Sequence, residues 1–573
     1  MYLIPTPKFL REESQVLSLR TISPDTSLSD PRLIKAMNKL PLSDDGIPLA
    51  VAGETGTGEG YRLRIERSGI TLDADGAPGI FYGIQTLRQI FSHDEIPCLY
   101  IEDKPDCRHR GFYHDVTRGK VPKVGTLKKL IDDLAYYKQN SLQLYVEHSY
   151  EFKEFEGIVG KECCLSAEEI REIDDYCYEN FIDFIPSIAT CGHLYELLQQ
   201  ERYAHLRVID NYRPMHVFWY ERMMHHTIDP LNSESFELVK SLIDQYIPLF
   251  RSEYFNICGD EPWDLINGKY KDMEPDKMYV SFMKKIIEYI KSKGKKVMMW
   301  ADPEILENLK TAKEVPDDVV LLSWGYGADT PEERVQNLEG LNNPRILCPG
   351  TSSWFRLVEK ADVAQQNISR MASFCKEYGA DGILNTNWGD YGNPCSIELS
   401  MHGLMVGAQK SWNLDASVGD DFRFAANHLC YKNPKAAEYL LTLSYLGKGA
   451  EYAVFVRHYS NLFYDGKTDF DVLPTEAMLR ETQEGCREFI SELSSEKWTE
   501  EEFRLEMLTA AEGIAVTAEL FAKSIGYKLD RWTDTEHWLK TYRRQWLKKN
   551  KESELEKIEE LYRTMESVQF DLQ

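Results

Sequence analysis

Nowhere in the 573 residues is there a run approaching the roughly 20 consecutive apolar residues of a membrane-spanning helix, so no helical span is expected. The first residues, MYLIPTPKFLREES, place two prolines and early charges where a secretion signal needs an unbroken apolar run, and the expectation is a soluble, cytoplasmic chain. Positive charge is also in deficit. Against 93 Asp and Glu there are 67 Lys and Arg, a formal net charge of -26 that repels phosphate backbones and anionic membranes, so neither is expected as a partner. The 12 cysteines include no C-x-x-C pair, and many, such as Cys258 and Cys348, stand inside apolar strand-like runs. Buried reduced thiols are expected, with neither a disulfide framework nor a metal centre. Low-complexity tracts are missing as well, so the chain is expected to fold throughout.

What is present divides into three regions, since 573 residues exceed one ordinary hydrophobic core. In residues 1–104 a strand-like run, YRLRIERSGITLDA, carries Leu63, Ile65 and Ile70 at the spacing of one sheet face. It is followed by APGIFYGIQTLRQIF, where Gly79 and Gly83 precede a helix bearing Ile84, Leu87 and Ile90. A small α/β domain is expected there. Residues 105–412 alternate short apolar runs with amphipathic segments. Eight strands are expected at GFYHDV, SLQLYVE, FIDFIPSIA, YFNICGD, KVMMWAD, VVLLSWG, RILCPGT and DGILNTNW. Eight β-then-α units in about 300 residues predict a (β/α)8 TIM barrel. The competing doubly wound sheet usually brings a glycine-rich phosphate loop after its first strand, and none is present. Residues 413–573 read as a helical domain whose charges form solvated faces, with no chemistry assigned to it.

In such a barrel, catalytic groups gather just past the strands' C-terminal ends. The residues there are Asp115 and Arg118, Glu147 and His148, His193, Asp260 and Glu261, Trp300 and Asp302, Trp324, Trp354, and Trp388 and Asp390. There is no Ser-His-Asp order, no strand-end Lys and no His cluster with metal-ligand spacing. Carboxylates supply the acid and base that break an acetal, tryptophan faces stack on the C–H faces of a pyranose, and Arg or Asp fork onto hydroxyls. The inventory is that of a sugar pocket. Consecutive strand residues point to opposite faces, so Asp260 and Glu261 share a pocket only if the strand ends there, as Pro262 favours. In one pocket, like-charge repulsion from an ionised Asp260 would raise the pKa of Glu261, as a general acid requires. The plainer alternative is a surface acidic pair capping the next helix.

Over about the first 410 residues the sequence resembles glycoside hydrolase family 20, the β-N-acetylhexosaminidases. The motifs are APGIFYGIQTLRQI, IEDKPDCRHRGFYHDVTR, PSIATCGH, FNICGDE, MMWAD, LLSWG and NTNWGDYG. The resemblance implies that Asp260 and Glu261 are catalytic, that Arg118 grips ring hydroxyls, that His193 is the active-site histidine, and that Trp300, Trp324 and Trp388 wall the pocket with Asp390 as a hydroxyl ligand. Arg110 is implied to be structural. The implied activity is exo-hydrolysis of terminal β-linked GlcNAc or GalNAc, retaining and substrate-assisted, without a cofactor: the 2-acetamido carbonyl attacks while Glu261 protonates the leaving oxygen. Two departures stand out. CPGTSSWFR places Trp354 where the family has a tyrosine, and VEHSYEF places Glu147 and His148 where it has two aspartates. The alternatives are a retaining glycosidase with a protein nucleophile such as Glu147, and a non-catalytic sugar-binding protein on the same scaffold. The sequence leaves GlcNAc against GalNAc and the oligomeric state open.

Overall fold

The structure, a computed structural model, describes residues 1–209, 219, 222, 226–302, 309–463 and 472–567. The N-terminal sheet has six strands: β1 (Phe9–Val16), β2 (Ile22–Ser23), β3 (Ile47–Ala52), β4 (Thr57–Glu66), β5 (Gly69–Gly76) and β6 (Pro97–Asp103). Their order is β1-β6-β4-β5-β3-β2. The run expected as one strand is a hairpin, with β4 and β5 antiparallel and Ile65 paired to Ile70. Leu63, Ile65 and Ile70 are all buried, as their spacing predicts. Helix Ala77–Ile90 packs on that face. Gly79 and Gly83 lie inside this helix rather than before it. The reason is close approach: a Cβ on Gly83 would stand 2.3 Å from Leu72 Cδ1, so helix and sheet meet only through a bare backbone.

Eight strands then form a wholly parallel sheet: β7 (His109–Asp115), β8 (Ser141–Tyr145), β9 (Asp183–Ile185), β10 (Tyr254–Asn256), β11 (Lys296–Trp300), β12 (Val320–Trp324), β13 (Arg345–Cys348) and β14 (Gly382–Asn387). Each falls within or overlaps one of the expected runs. The order β10-β11-β12-β13-β14-β7-β8-β9 closes on itself where Asn256 N–H donates to Pro186 O at 2.8 Å and Ile188 N–H donates to Asn256 O at 3.2 Å. A (β/α)8 barrel results.

These strands read as continuous apolar runs because both faces are buried. Inward-facing Tyr113, Tyr145, Met298, Trp300, Val320, Leu322, Ile346 and Cys348 pack together, while outward-facing Val297, Met299 and Leu321 pack under the helices. The period of two carries this inner row up to the rim: Met298 to Trp300, Leu322 to Trp324, and Leu384 through Thr386 to Trp388.

Arg110 joins the first region to the barrel. Its buried guanidinium donates to Glu59 at 2.6 and 3.0 Å, and to the carbonyls of Cys107 and Lys138 at 2.8 and 3.1 Å. The remaining helices include Ala436–Leu446, Glu476–Ser495, Glu501–Ser524, Thr535–Lys549 and Leu555–Ser567. They dock beside the loops that follow β7 and β14: Lys551 N–H donates to Val121 O at 2.8 Å, and Tyr542 OH donates to Pro394 O at 3.0 Å. The charges of this region are not all solvated, since Lys549, Glu506, Glu554 and Glu559 are buried in ion pairs. Packing against the barrel rim covers that face. All 12 cysteines are free thiols and ten are buried. Among the described residues, no helix is long and apolar enough to cross a membrane.

Candidate active site

The segment after β10 explains how two consecutive carboxylates share a cavity. The strand stops at Asn256, four residues before Asp260, earlier than the sequence suggested. Cys258, Gly259 and Glu261 then adopt left-handed backbone with φ of 52°, 84° and 47°. These repeated turns, rather than Pro262 alone, break the alternation and bring both side chains to one side. For a non-glycine residue such backbone costs about 1 kcal/mol or more, so it must be held from outside. Tyr279 OH donates to Gly259 O at 2.7 Å, Thr190 Oγ1 donates to Ile257 O at 2.5 Å, and buried Asp302 accepts from the Glu261 N–H at 2.8 Å.

The cavity above has a volume of about 220 Å³ and is lined by Arg118, Asp260, Glu261, Trp300, Trp324, Tyr326, Trp354, Phe355, Trp388 and Asp390. Eight of the ten expected site residues are on its wall. Trp300 and Trp388 form a floor with ring centroids 5.9 Å apart, both against Tyr113. Trp324 stacks on Tyr326 at 5.3 Å, and Trp354 meets Tyr326 edge-on at 5.2 Å.

Glu147 and His193 are behind the wall. The His193 Nε2 lies 3.3 Å from Asp260 Oδ2 and 3.3 Å from Glu261 Oε2, and its Nδ1 lies 3.7 Å from Glu147 Oε1. Burial opposes the imidazolium, but Asp260 and the hydrogen bonds to both carboxylates outweigh it and push His193 up to about 10. The imidazole between the two carboxylates is thus drawn toward its charged form, with Arg118 Nη2, 3.3 Å from its Nδ1, opposing it, a balance that reasoning from two adjacent carboxylates did not include. Glu147 is buried and accepts from Tyr145 OH at 2.9 Å; burial pushes its carboxyl above the ordinary range against the opposing pull of Arg118. Its carboxylate lies 3.4 Å from Arg118 Nη2 and 3.7 Å from His193 Nδ1.

Arg118 is the hub of a group of charges that adjoins His193, with Nη2 3.3 Å from its Nδ1. It faces Asp115 Oδ2 at 3.3 Å, Glu147 Oε1 at 3.4 Å and Asp390 Oδ1 at 3.3 Å, and lies over the rings of Tyr145 and Trp388. Asp115 fixes the turn by accepting from the backbone N–H of Thr117, Arg118 and Gly389 at 2.9, 3.1 and 3.0 Å. Burial pushes Asp390 up to about 7 even though Arg118 opposes it. Arg118 Nε and Asp390 Oδ1 are close but misaligned, and neither makes a hydrogen bond among the described residues. A buried donor and a buried acceptor left so are costly, and one hydroxyl can serve both.

Tyr326, Phe355, Asp302 and Asp115 are the residues whose part in the site sequence reasoning missed or left unassigned. Tyr326 had a readable signal, standing two residues beyond Trp324 in LLSWGYG. Its hydroxyl accepts from Trp388 Nε1 at 2.9 Å, and its phenol is pushed well above its ordinary value by burial, with Cys348 and the two carboxylates adding to the effect. The pocket therefore holds a tyrosine hydroxyl even though Trp354 occupies the position expected for one.

Over 335 residues the chain is 28% identical to a beta-hexosaminidase of Porphyromonas gingivalis, covering 52% of this chain and 41% of that one. Over 196 residues it is 31% identical to a beta-hexosaminidase of Akkermansia muciniphila, covering 30% and 38%. It thus spans about two fifths of the length of these relatives. Among solved structures, a mutant Streptomyces plicatus beta-hexosaminidase in complex with its product GlcNAc superposes with a TM-score of 0.58 over 77% of this chain and 95% of that one, at 19% identity, a likeness of fold. Residues 107–390, which contain every residue of the cavity wall, match the catalytic domain of glycosyl hydrolase family 20, and residues 3–104 match domain 2 of the same family. Two family domains in consecutive order over most of its length make this chain a member of glycosyl hydrolase family 20.

Proposed function

We propose that the chain is an exo-acting β-N-acetylhexosaminidase that removes terminal β-linked GlcNAc or GalNAc with retention, using the substrate's own acetamide as nucleophile. The observation that carries this reading is the composition of the wall. Among the described residues it bears three carboxylates, adjacent Asp260 and Glu261 and, against Arg118, Asp390. Glu147, the candidate protein nucleophile, is buried behind Arg118 and His193. In this reading the attacking group is the sugar's own acetamide.

In this reading Trp300 and Trp388 receive the apolar ring face, and Arg118 with Asp390 take ring hydroxyls. Glu261 protonates the leaving oxygen. The acetamide carbonyl attacks the anomeric carbon to give an oxazolinium ion, Asp260 orients the amide and faces the charge developing on its nitrogen, and Tyr326 OH donates to the carbonyl oxygen. Once Glu261 has given up its proton, His193 at 3.3 Å lies against its carboxylate until Glu261 takes a proton from the attacking water. The product keeps the β configuration.

The test is hydrolysis of 4-nitrophenyl β-glycosides, N-acetylglucosaminide against glucoside, by wild type and Glu261→Gln. The expected result is strong preference for the acetamido sugar, with kcat lowered by about 10³-fold or more in the mutant. Equal cleavage of both sugars would point to a protein nucleophile, and undiminished activity in Glu261→Gln would overturn the assignment.

A further inference from the structure

A carboxylate from the far end of the chain ties the catalytic rim together. Glu554 lies in the short connection between helices Thr535–Lys549 and Leu555–Ser567, and its side chain is buried. Oε1 accepts from Arg222 Nη2 at 2.6 Å and from Lys557 Nζ at 3.1 Å, and Oε2 accepts from Trp219 Nε1 at 3.0 Å. Burial by itself would raise its pKa, but Arg222 and Lys557 outweigh it and hold the carboxyl down at about 2. This is a fixed, ionised anchor.

Its contacts reach three loops that each carry a residue of the site. The Glu554 backbone N–H donates to Gly119 O at 3.2 Å, and Arg222 Nη1 donates to Thr117 O at 3.3 Å, so both neighbours of Arg118 are held. Arg222 Nη2 also donates to Glu196 Oε1 at 2.9 Å, three residues beyond His193. The Trp219 ring presses on Gly392, two residues beyond Asp390, where a Cβ would stand 2.7 Å from the indole. Gly119 (φ 117°) in turn touches the Gly392 backbone so closely that a Cβ there would stand 2.5 Å away. His148, Glu196 and Glu554 are near enough to share an ion, but Arg222 already lies against both carboxylates.

We propose that Glu554 is a positioning residue for the sugar pocket: through Arg222 and Trp219 it sets the relative places of Arg118, His193 and Asp390, so the C-terminal helices are part of the active site. This rests on the glycosidase reading above. Neutralising Glu554 leaves Arg222 buried with one anionic partner fewer and frees the three loops to shift, and displacements of about 1 Å are enough to impair a positioned site.

The experiment compares Glu554→Gln, Glu554→Asp and a control, Glu559→Gln, which removes a buried carboxylate on the neighbouring helix that pairs, among the described residues, with Arg543 and Arg563. For each variant kcat, KM, Tm and backbone hydrogen exchange over residues 115–120, 192–197 and 388–394 are measured. Glu554→Gln is expected to raise KM and lower kcat/KM by about tenfold or more, with faster exchange in all three loops. Glu554→Asp should recover part of this, and Glu559→Gln should keep wild-type KM and loop exchange at a comparable loss of Tm. Unchanged exchange in the three loops of Glu554→Gln, or a loss of activity matched by the control at equal Tm, would overturn the proposal. If the wild-type enzyme fails to cleave the glycoside, the glycosidase reading falls, and the exchange data still decide whether Glu554 holds the rim.

Discussion

Tyr326 and His193 each carry a testable part of the proposed reaction. Tyr326 accepts from Trp388 Nε1 and keeps its own proton to donate into the cavity. Tyr326→Phe is therefore expected to lower kcat on an N-acetylglucosaminide by about 10- to 100-fold, the worth of one hydrogen bond to a carbonyl gaining charge, while changing Tm little. Steady-state kinetics beside a thermal melt would check it. For His193 the sign follows from its raised pKa. A cation stabilised in the fold contributes fully below its unfolded value of about 6.5 and is lost as pH climbs through about 10. The Tm gap between wild type and His193→Gln should therefore shrink between pH 6.5 and pH 10. A gap that stays constant over that window would refute the imidazolium bridge between Asp260 and Glu261.

At the scale of the element, the loop after β10 is where sequence rules and structure part. Alternation along a strand predicts opposite faces for Asp260 and Glu261, and the protein avoids this by ending β10 early and inserting left-handed residues. Gly259 is the least replaceable of them. At φ 84° a Cβ would stand 2.5 Å from Met283 Cε and 2.9 Å from Tyr279 OH, so backbone strain and overpacking add. Gly259→Ala should destabilise the fold by about 2 kcal/mol or more in denaturant unfolding and lower activity beyond the fraction unfolded. The eight strands themselves were legible because buried parallel strands are short, apolar and bounded by turns. The strand end expected at Pro262 ran past the true end of β10 at Asn256.

For the whole molecule, the N-terminal sheet, the barrel and the C-terminal helices are linked through buried charge as well as apolar contact. Arg110 is the clearest case, a guanidinium at 0% exposure that bonds Glu59 across the first junction. Arg110→Met should destabilise the chain by about 3 kcal/mol, because it strands Glu59 and two carbonyls. Denaturant unfolding should then show an early transition of the N-terminal sheet, and a single unshifted transition would refute the linkage. What the sequence alone determined was whatever repeats locally or lies in short contiguous motifs: the strand count, the barrel, the Asp260-Glu261 pair, the tryptophans at strand ends and the family resemblance. What only the tertiary structure decided was which side of each loop faces the cavity, that Glu147 and His193 stand behind the wall, that Tyr326 lines the cavity, and that Glu554 reaches the rim. Periodicity reports the burial of a regular element, whereas loop direction and long-range ion pairs depend on backbone turns and packing between residues hundreds of positions apart.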